Sequence, residues 1–393
     1  MKKNHPLVIS MIKLKSILAV LANRLLSSLV QIFPVSKKIW AFNSFPDYTD
    51  NPYGFFCKVV AKKPDVHFIW LISDKSLVKK IQAEILEKNV SVFYKKSILG
   101  FWYFLRAGYL FISHGIFEQY QADKSSKIVV NLWHGMPLKR IEFMDPTTTW
   151  VTYSDYIIAT SEMFKNIMGQ SFKKDAEHTL LIGQPRNDLL FDETDFFEKQ
   201  KINRQEYDKV GIWLPTYRYS LLQQRTDGAF HEGQLLFLTI CDLEELNSFL
   251  KIHRQLLIVK LHPMDFLQTT ELPSFSNLRI LKQKDLTSQL YPLLGNCDYL
   301  LTDFSSVWLD YEILGKPIGF VCDDFSSYKN GRGFTIPNLK DLLPGPVLVN
   351  LAELEHFLSH LPENRNEGPS EFNYYKDSSA SDRLLALLES LSK

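Results

Sequence analysis

The sequence predicts two α/β domains in tandem, each a parallel sheet with helices on both faces. Three observations predict it. From residue 39 onward, short apolar runs alternate with amphipathic segments, as strands and crossover helices do. The 393 residues are 45% hydrophobic and 13% aromatic, a globular composition with length for two or three cores. The alternation breaks once, at the charged stretch Asp192–Lys209, and then restarts. No internal repeat is detectable.

The opening residues stand apart from that pattern. Met1–Lys38 carries Lys2, Lys3, Lys13, Lys15, Arg24, Lys37 and Lys38 and no acidic residue. Within it, Ile12, Ile17, Leu18, Leu21, Leu25, Leu29 and Ile32 recur at helical spacing. Lys13, Lys15, Asn23 and Arg24 interrupt the apolar face, so no run reaches the roughly 18–20 residues of a membrane span. No small-residue cleavage site follows, which argues against a signal peptide. Residues 1–37 are therefore expected to form a basic amphipathic helix on an anionic membrane surface, each cation adding roughly 1 kcal/mol of attraction. The plainer alternative is a helix packed on the protein's own core.

The strands of the first domain follow in order: Ile39–Ser44, His67–Ser73, Val90–Tyr94, Tyr109–Ser113, Ile128–Leu132, Tyr156–Thr160 and Thr179–Ile182. Each is a short run rich in β-branched or aromatic residues, the mark of a buried parallel strand. Helical periodicity marks Ser76–Lys88 and Glu162–Gln170 between them. Asp192–Lys209 reads as a connecting helix and linker. Strands resume at Val210–Leu214, Leu256–Leu261, Leu278–Leu281, Tyr299–Thr302 and Pro317–Val321, with helices at Leu243–Lys251, Ser305–Leu314 and Leu351–Leu361. Ser379–Leu391 closes the chain as an amphipathic helix. The domains are set at 38–200 and 201–393, with ligands expected in a cleft at the carboxyl ends of the strands.

Charge and cysteine content remove several functional classes. With 45 Lys+Arg against 44 Asp+Glu the net charge is +1, unlike the strongly basic footprint of a nucleic-acid binder. Cys57, Cys241, Cys297 and Cys322 are scattered and form neither a zinc motif nor a disulfide framework, which fits a reducing, cytosolic setting. No GxxxxGK[ST], GxGxxG, HExxH or carboxylate cluster occurs, so no cofactor and no metal is expected.

Unusual polar clusters sit where strands end. In Val130–Arg140 an apolar strand runs into His134-Gly135, followed by Lys139 and Arg140. Glycine lets backbone N–H groups approach a ligand, and histidine is a base near neutral pH. Gly183–Asp188 carries Arg186, suited to forking onto phosphate, beside Asn187 and Asp188; a solvated Arg and a helix cap are the bland reading. Trp213–Arg218 places Pro215, Thr216 and Arg218 at the end of the second domain's first strand. Lys260 and His262 lie two apart and so on one side of a strand end, a pair of potential cations. Thr302–Ser306 leads into a helix, putting Ser305 and Ser306 at an N-terminus that attracts phosphate, with Asp303 and Asp310 nearby. Simple capping explains one serine but not the whole set. Convergence of these groups would stabilise a pyrophosphate and the charge that develops on its cleavage.

In this order Trp133–Lys139, Gly183–Asp188, Pro215–Arg218, Leu261–Pro263 and Thr302–Ser306 with Asp310 resemble the CDP-glycerol glycerophosphotransferase family, which builds teichoic acids and related capsular polymers. Lys316-Pro317, Tyr328–Phe334 and Pro344–Pro346 extend the resemblance, which covers roughly residues 39 to 370. It implies a GT-B-like pair of Rossmann-type domains facing a cleft, CDP held mainly by the second, and the last helix packing back toward the first. His134 would be the general base, and Gly135, Met136, Pro137, Leu138 and Lys139 would line the substrate. Arg186 and His262 would contact the pyrophosphate, His262 aiding departure of CMP. Ser305 and Ser306 would bind phosphate, and Lys260, Leu261, Thr216 and Asp310 would complete the donor pocket. The donor would be CDP-glycerol or CDP-ribitol, the acceptor a lipid-linked glycan or polyol-phosphate polymer, and the place the cytoplasmic face of the membrane. One departure is Ile141-Glu142, where the family often has a glycine. A GT-B glycosyltransferase using a nucleotide sugar is the nearest alternative, and a non-catalytic precursor-binding member the next.

Overall fold

The computed structural model describes residues 28–117, 127–146, 148, 152–216, 219–220, 225–226, 235–262, 265, 273–282, 289–303, 305–322, 335–336, 338–364 and 368–391. Two compact units emerge. Unit 1 comprises Met1–His134, Glu142–Arg186 and Ser379–Lys393; unit 2 comprises Gly135–Ile141 and Asn187–Ser378. The first loop after His134 thus leaves unit 1 and returns to it at Glu142.

Unit 1 holds β1 (Ser36–Asn43), β2 (His67–Ile72), β3 (Val90–Tyr94), β4 (Ala107–Ile112), β5 (Ile128–Asn131), β6 (Tyr156–Ala159) and β7 (Thr179–Leu181). They form one parallel sheet in the order β3-β2-β1-β4-β5-β6-β7. β4 is buried at every position and β2 at all but the first, because both faces of a parallel sheet are covered. One face is aromatic: Phe42, Phe55 and Phe111 pack with ring centroids 4.8–6.3 Å apart, joined by Trp40, Phe56, Phe68 and Trp70.

Between these strands the described residues form α1 (Asp50–Val59), α2 (Val78–Glu84), α3 (Ile98–Arg106) and α4 (Glu162–Phe172). α1 and α3 are absent from the predicted set. Pro52 and Gly54 make α1 read as a turn, yet Pro is tolerated in a first helical turn. Gly54 is required there, since a Cβ would sit 2.6 Å from the backbone of Pro185 and Arg186. The predicted helix Ser76–Lys88 shortens to a 3-10 turn and α2, ending at the extended Ile85. Asn89 explains the stop: its amide donates to Lys63 O and Val66 O, and its carbonyl accepts Phe68 N–H, committing the chain to β3. The buried Lys127 ammonium donates to Phe104 O at 2.6 Å, to Leu105 O and to Ala107 O, satisfying the carbonyls that α3 leaves open at its C-terminus. Of the predicted 1–37 helix, residues 1–27 lie outside the described set. Residues 28–32 are helical, with Val30 fully buried in unit 1 and Phe33 edge-on to Trp102 at 5.4 Å.

Unit 2 contains β8 (Lys209–Leu214), a hairpin of β9 (Tyr219–Ser220) and β10 (Arg225–Thr226), β11 (Gln255–Lys260), β12 (Leu278–Leu281), β13 (Tyr299–Thr302), β14 (Ile318–Val321) and β15 (Val347–Leu348). Six of them form a second parallel sheet, β12-β11-β8-β13-β14-β15. The expected connecting helix across 192–209 is only one turn, α5 (Phe196–Lys199), and a 3-10 turn at Arg204–Glu206, because β8 already begins at Lys209. α6 (Ile240–Ile252) starts with a capping box in which Thr239 and Asp242 bond reciprocally. α7 (Leu290–Gly295) crosses so close to Leu190 that a Cβ on Gly295 would fall 1.8 Å from its carbonyl. α8 (Val307–Tyr311) starts two residues later than predicted and runs through a 3-10 turn to Gly315, whose φ of 63° ends it. α9 (Leu351–Ser359) completes unit 2, and α10 (Ala380–Ser390) returns to unit 1 and packs on α1.

Candidate functional site

Polar residues of unit 1 collect at the carboxyl ends of β1, β4, β5 and β7. β5 runs apolar to Asn131, whose side chain accepts the Trp133 N–H at 2.9 Å. That bond helps hold Trp133 at φ 51°, a left-handed conformation costing a bulky residue about 1 kcal/mol or more. The turn it makes presents His134. His134 Nδ1 lies 3.2 Å from the Ser113 carbonyl, which can only accept, so Nδ1 carries the proton and Nε2 keeps its lone pair. Burial pushes the imidazole down to about 4; the Ser113 carbonyl opposes this and Arg186 adds to it.

Two features there escaped the sequence reading. His114 stacks on His134 with centroids 4.1 Å apart and planes at 9°. It too is held near 4, by burial and by His134, with Asp50 pulling the other way. Its signal was legible: Ile112-Ser-His-Gly115 repeats after β4 the strand–His–Gly order that Leu132-Trp-His-Gly135 shows after β5. The second feature is the start of α1. Asn51 donates to Leu132 O at 2.9 Å and Trp133 O at 3.2 Å and accepts Arg186 N–H at 3.1 Å, fastening the His134 turn to the Gly183–Arg186 turn.

Arg186 is not solvated. It is 7% exposed, and its Nη1 donates to Asp50 Oδ1 at 2.8 Å and to His134 O at 2.9 Å. The guanidinium therefore grips the histidine's own backbone. Gly183 has φ 85°, a conformation that suits glycine.

In unit 2, Met136, Pro137 and Leu138 are buried, and the carbonyls of Pro137 and Leu138 accept from Thr335 at 2.6 and 2.9 Å. Gly135 has φ 128°. Asn187 and Asp188 are buried at the start of a 3-10 segment, and neither polar atom of the Asn187 amide has a hydrogen-bond partner among the described residues. At the end of β8, Thr216 donates its N–H and Oγ1–H to Asp303, the latter at 2.8 Å, tying the ends of β8 and β13 together. Pro215 is buried beside them, and Arg218 lies outside the described residues.

Lys260 and His262 do emerge together at the end of β11, around the buried Leu261. His262 is pushed to about 4 by burial and by the charges of Lys260 and Lys139, and burial lowers Lys260. Lys139 and Lys260 thus place positive charge beside His262, whose imidazole stays neutral near pH 7. Ser305 and Ser306 are half-buried at the start of α8; Ser305 Oγ accepts Val307 N–H at 3.5 Å, and Ser306 caps without a side-chain bond. Asp310 is fully buried and accepts Tyr291 O–H at 2.6 Å. No metal-ligating cluster occurs among the described residues.

The chain is similar to known proteins over most of its length. The family model described as CDP-Glycerol:Poly(glycerophosphate) glycerophosphotransferase matches residues 25–390. The teichoic acid poly(glycerol phosphate) polymerase of Staphylococcus epidermidis is 27% identical over 370 residues, 87% of this chain and 48% of that protein. The chain thus spans about half the length of that relative. The teichoic acid glycerol-phosphate transferase of Staphylococcus aureus is 26% identical over 361 residues, 84% of this chain and 86% of that protein. Among solved structures, the wall teichoic acid polymerase TagF superposes with a TM-score of 0.73 at 21% identity over 98% of each chain, a likeness of fold.

Proposed function

Since the chain belongs to the CDP-glycerol:poly(glycerophosphate) glycerophosphotransferase family, we propose that it transfers glycerol phosphate from CDP-glycerol to an acceptor hydroxyl in teichoic acid synthesis. The acceptor oxygen forms a bond to the β-phosphorus, the bond from that phosphorus to CMP breaks, and CMP leaves. His134 takes the hydroxyl proton at Nε2. Lys139, Lys260 and His262 hold the pyrophosphate and the charge that grows on its bridging oxygen, with Ser305 and Ser306 offering further donors. Arg186 acts through its grip on the His134 carbonyl and Asp50. We read the two parallel sheets as a GT-B-like pair of Rossmann-type domains, with CDP held by unit 2.

The observation that carries this reading is the His134 imidazole, with Nδ1 fixed on Ser113 O and Nε2 left as acceptor. The test is CMP release from CDP-glycerol with a poly(glycerol phosphate) oligomer as acceptor. His134→Ala is expected to slow turnover about 100-fold or more while CDP-glycerol still raises its melting temperature. Near wild-type turnover in that variant would remove His134 from the role of base.

Membrane-surface association is part of the same reading, at the cytoplasmic face where a lipid-linked acceptor is reached. Among the described residues no helix is long and apolar enough to cross a membrane. On α3, Ile98 is 89% exposed and Leu99 and Trp102 are about half exposed, with Lys95 and Lys96 just before them. Such an apolar face beside cations suits an anionic lipid surface.

A further inference from the structure

The loop between β1 and α1 carries a side chain that stays largely outside the core. Phe45 is 64% exposed, although the loop holding it is pinned throughout. Phe45 N–H donates to Ser113 Oγ at 3.2 Å. Ser44 Oγ donates to Pro46 O at 2.8 Å and accepts Thr49 N–H at 3.1 Å, and Thr49 Oγ1 donates to Pro46 O. Asp47 accepts the N–H groups of Ser73 and Asp74 at 2.8–3.0 Å, and Asp50 closes the loop on Arg186. An exposed ring on a fixed loop returns little hydrophobic stabilisation to the fold. Its position does more: Phe45 meets His114 edge-on at 5.7 Å, and His114 stacks on His134. Phe45 is thus the solvent-facing end of a row of rings that leads to the base.

We propose that Phe45 is a specificity-determining residue that receives the C–H face of a sugar or polyol unit of the acceptor. The inference rests on the transferase reading. A phenyl face carries a negative quadrupole, so it favours the weakly positive C–H groups of an uncharged unit and disfavours a phosphate. That chemistry excludes the donor pyrophosphate and selects the non-reacting part of the acceptor, orienting its hydroxyl toward His134.

The test compares wild type with Phe45→Ala, Phe45→Leu and Phe45→Tyr. Two acceptor probes are used, a poly(glycerol phosphate) oligomer and a lipid-linked disaccharide, with affinity measured by titration calorimetry alongside CMP release. Removing the ring should raise acceptor KM and Kd about tenfold for one or both probes, with kcat within about twofold. CDP-glycerol affinity should not move, and Phe45→Tyr should behave as wild type. Which probe responds tells polyol from sugar. Unchanged acceptor affinity in Phe45→Ala, or equal losses in donor affinity and kcat, overturns the inference. If wild type binds a probe but releases no CMP, the transferase reading fails, while Phe45 stands or falls on the affinity ratio. Binding of neither probe by wild type overturns the inference as well.

Discussion

His134 and His114 owe their chemistry to each other and to Ser113. The Ser113 carbonyl fixes the proton on His134 Nδ1, and its hydroxyl lies 3.1 Å from His114 Nδ1. Stacked at 4.1 Å, both rings are half-buried and held near 4, so both are neutral at physiological pH. A base with that property stays available well below the usual histidine range. The acid limb of kcat/KM against pH, which reports the free enzyme, is therefore expected near 4 rather than near 6.5, checked by CMP release between pH 3 and 8; a limb centred at 6.5 would show that burial does not govern His134. Stability follows the same groups. Between about 4 and 6.5 the unfolded chain binds protons that folded His114, His134 and His262 refuse, so stability rises with pH through that window and is lost as pH falls through it. Thermal melts across that range check the sign. Glu142 makes a further residue-scale point. It sits at φ 48°, a left-handed conformation that only glycine adopts without steric cost, in the Ile141-Glu142 stretch where the resemblance leads one to expect a glycine.

At the scale of elements, α1 and α3 carry the most information. α1 brings Asp50 and Asn51 to the His134 turn and needs Gly54 to lie against Pro185 and Arg186. α3 is capped by Ser97 at its start and by Lys127 at its end, so its backbone is satisfied while its outer face stays apolar. A helix fixed in that way presents Ile98, Leu99 and Trp102 as a surface. The double variant Ile98→Glu, Leu99→Glu is expected to lower co-sedimentation with phosphatidylglycerol vesicles about tenfold and to leave neutral vesicles and the melting temperature little changed. Undiminished binding to anionic vesicles would move the membrane contact off α3. Neither helix was legible in the sequence. Pro52 and Gly54 disguise α1, and the run from Ile98 to Leu105 is short and almost wholly apolar, so it reads as readily as a buried strand as it does as a helix.

For the whole molecule, each unit has its own parallel sheet and its own core, so a ligand held by unit 2 stabilises that unit directly. CDP-glycerol at about 100 times its dissociation constant should add about 2.7 kcal/mol, seen as a rise in melting temperature, whereas UDP-sugars should add nothing. A rise with UDP-sugars alone would turn the reading to glycosyl transfer and leave the fold untouched. The sequence by itself determined the α/β class, the place of nearly every long strand and the order of the strand-end motifs. A parallel strand buried on both faces is written as a continuous apolar run, and a strand-end motif is a local string. Only the tertiary structure decided what those motifs touch. Ser113 reaches His134 across 21 residues because β4 and β5 are neighbours, and Arg186 reaches Asp50 across 136 because the turn after β7 and the first residue of α1 both lie at the carboxyl ends of the strands of one sheet. Thr216 and Asp303 bond to each other for the same reason, at the adjoining ends of β8 and β13. Local periodicity carries no record of strand order, and strand order is what brings a base, its partners and an exposed ring to one place.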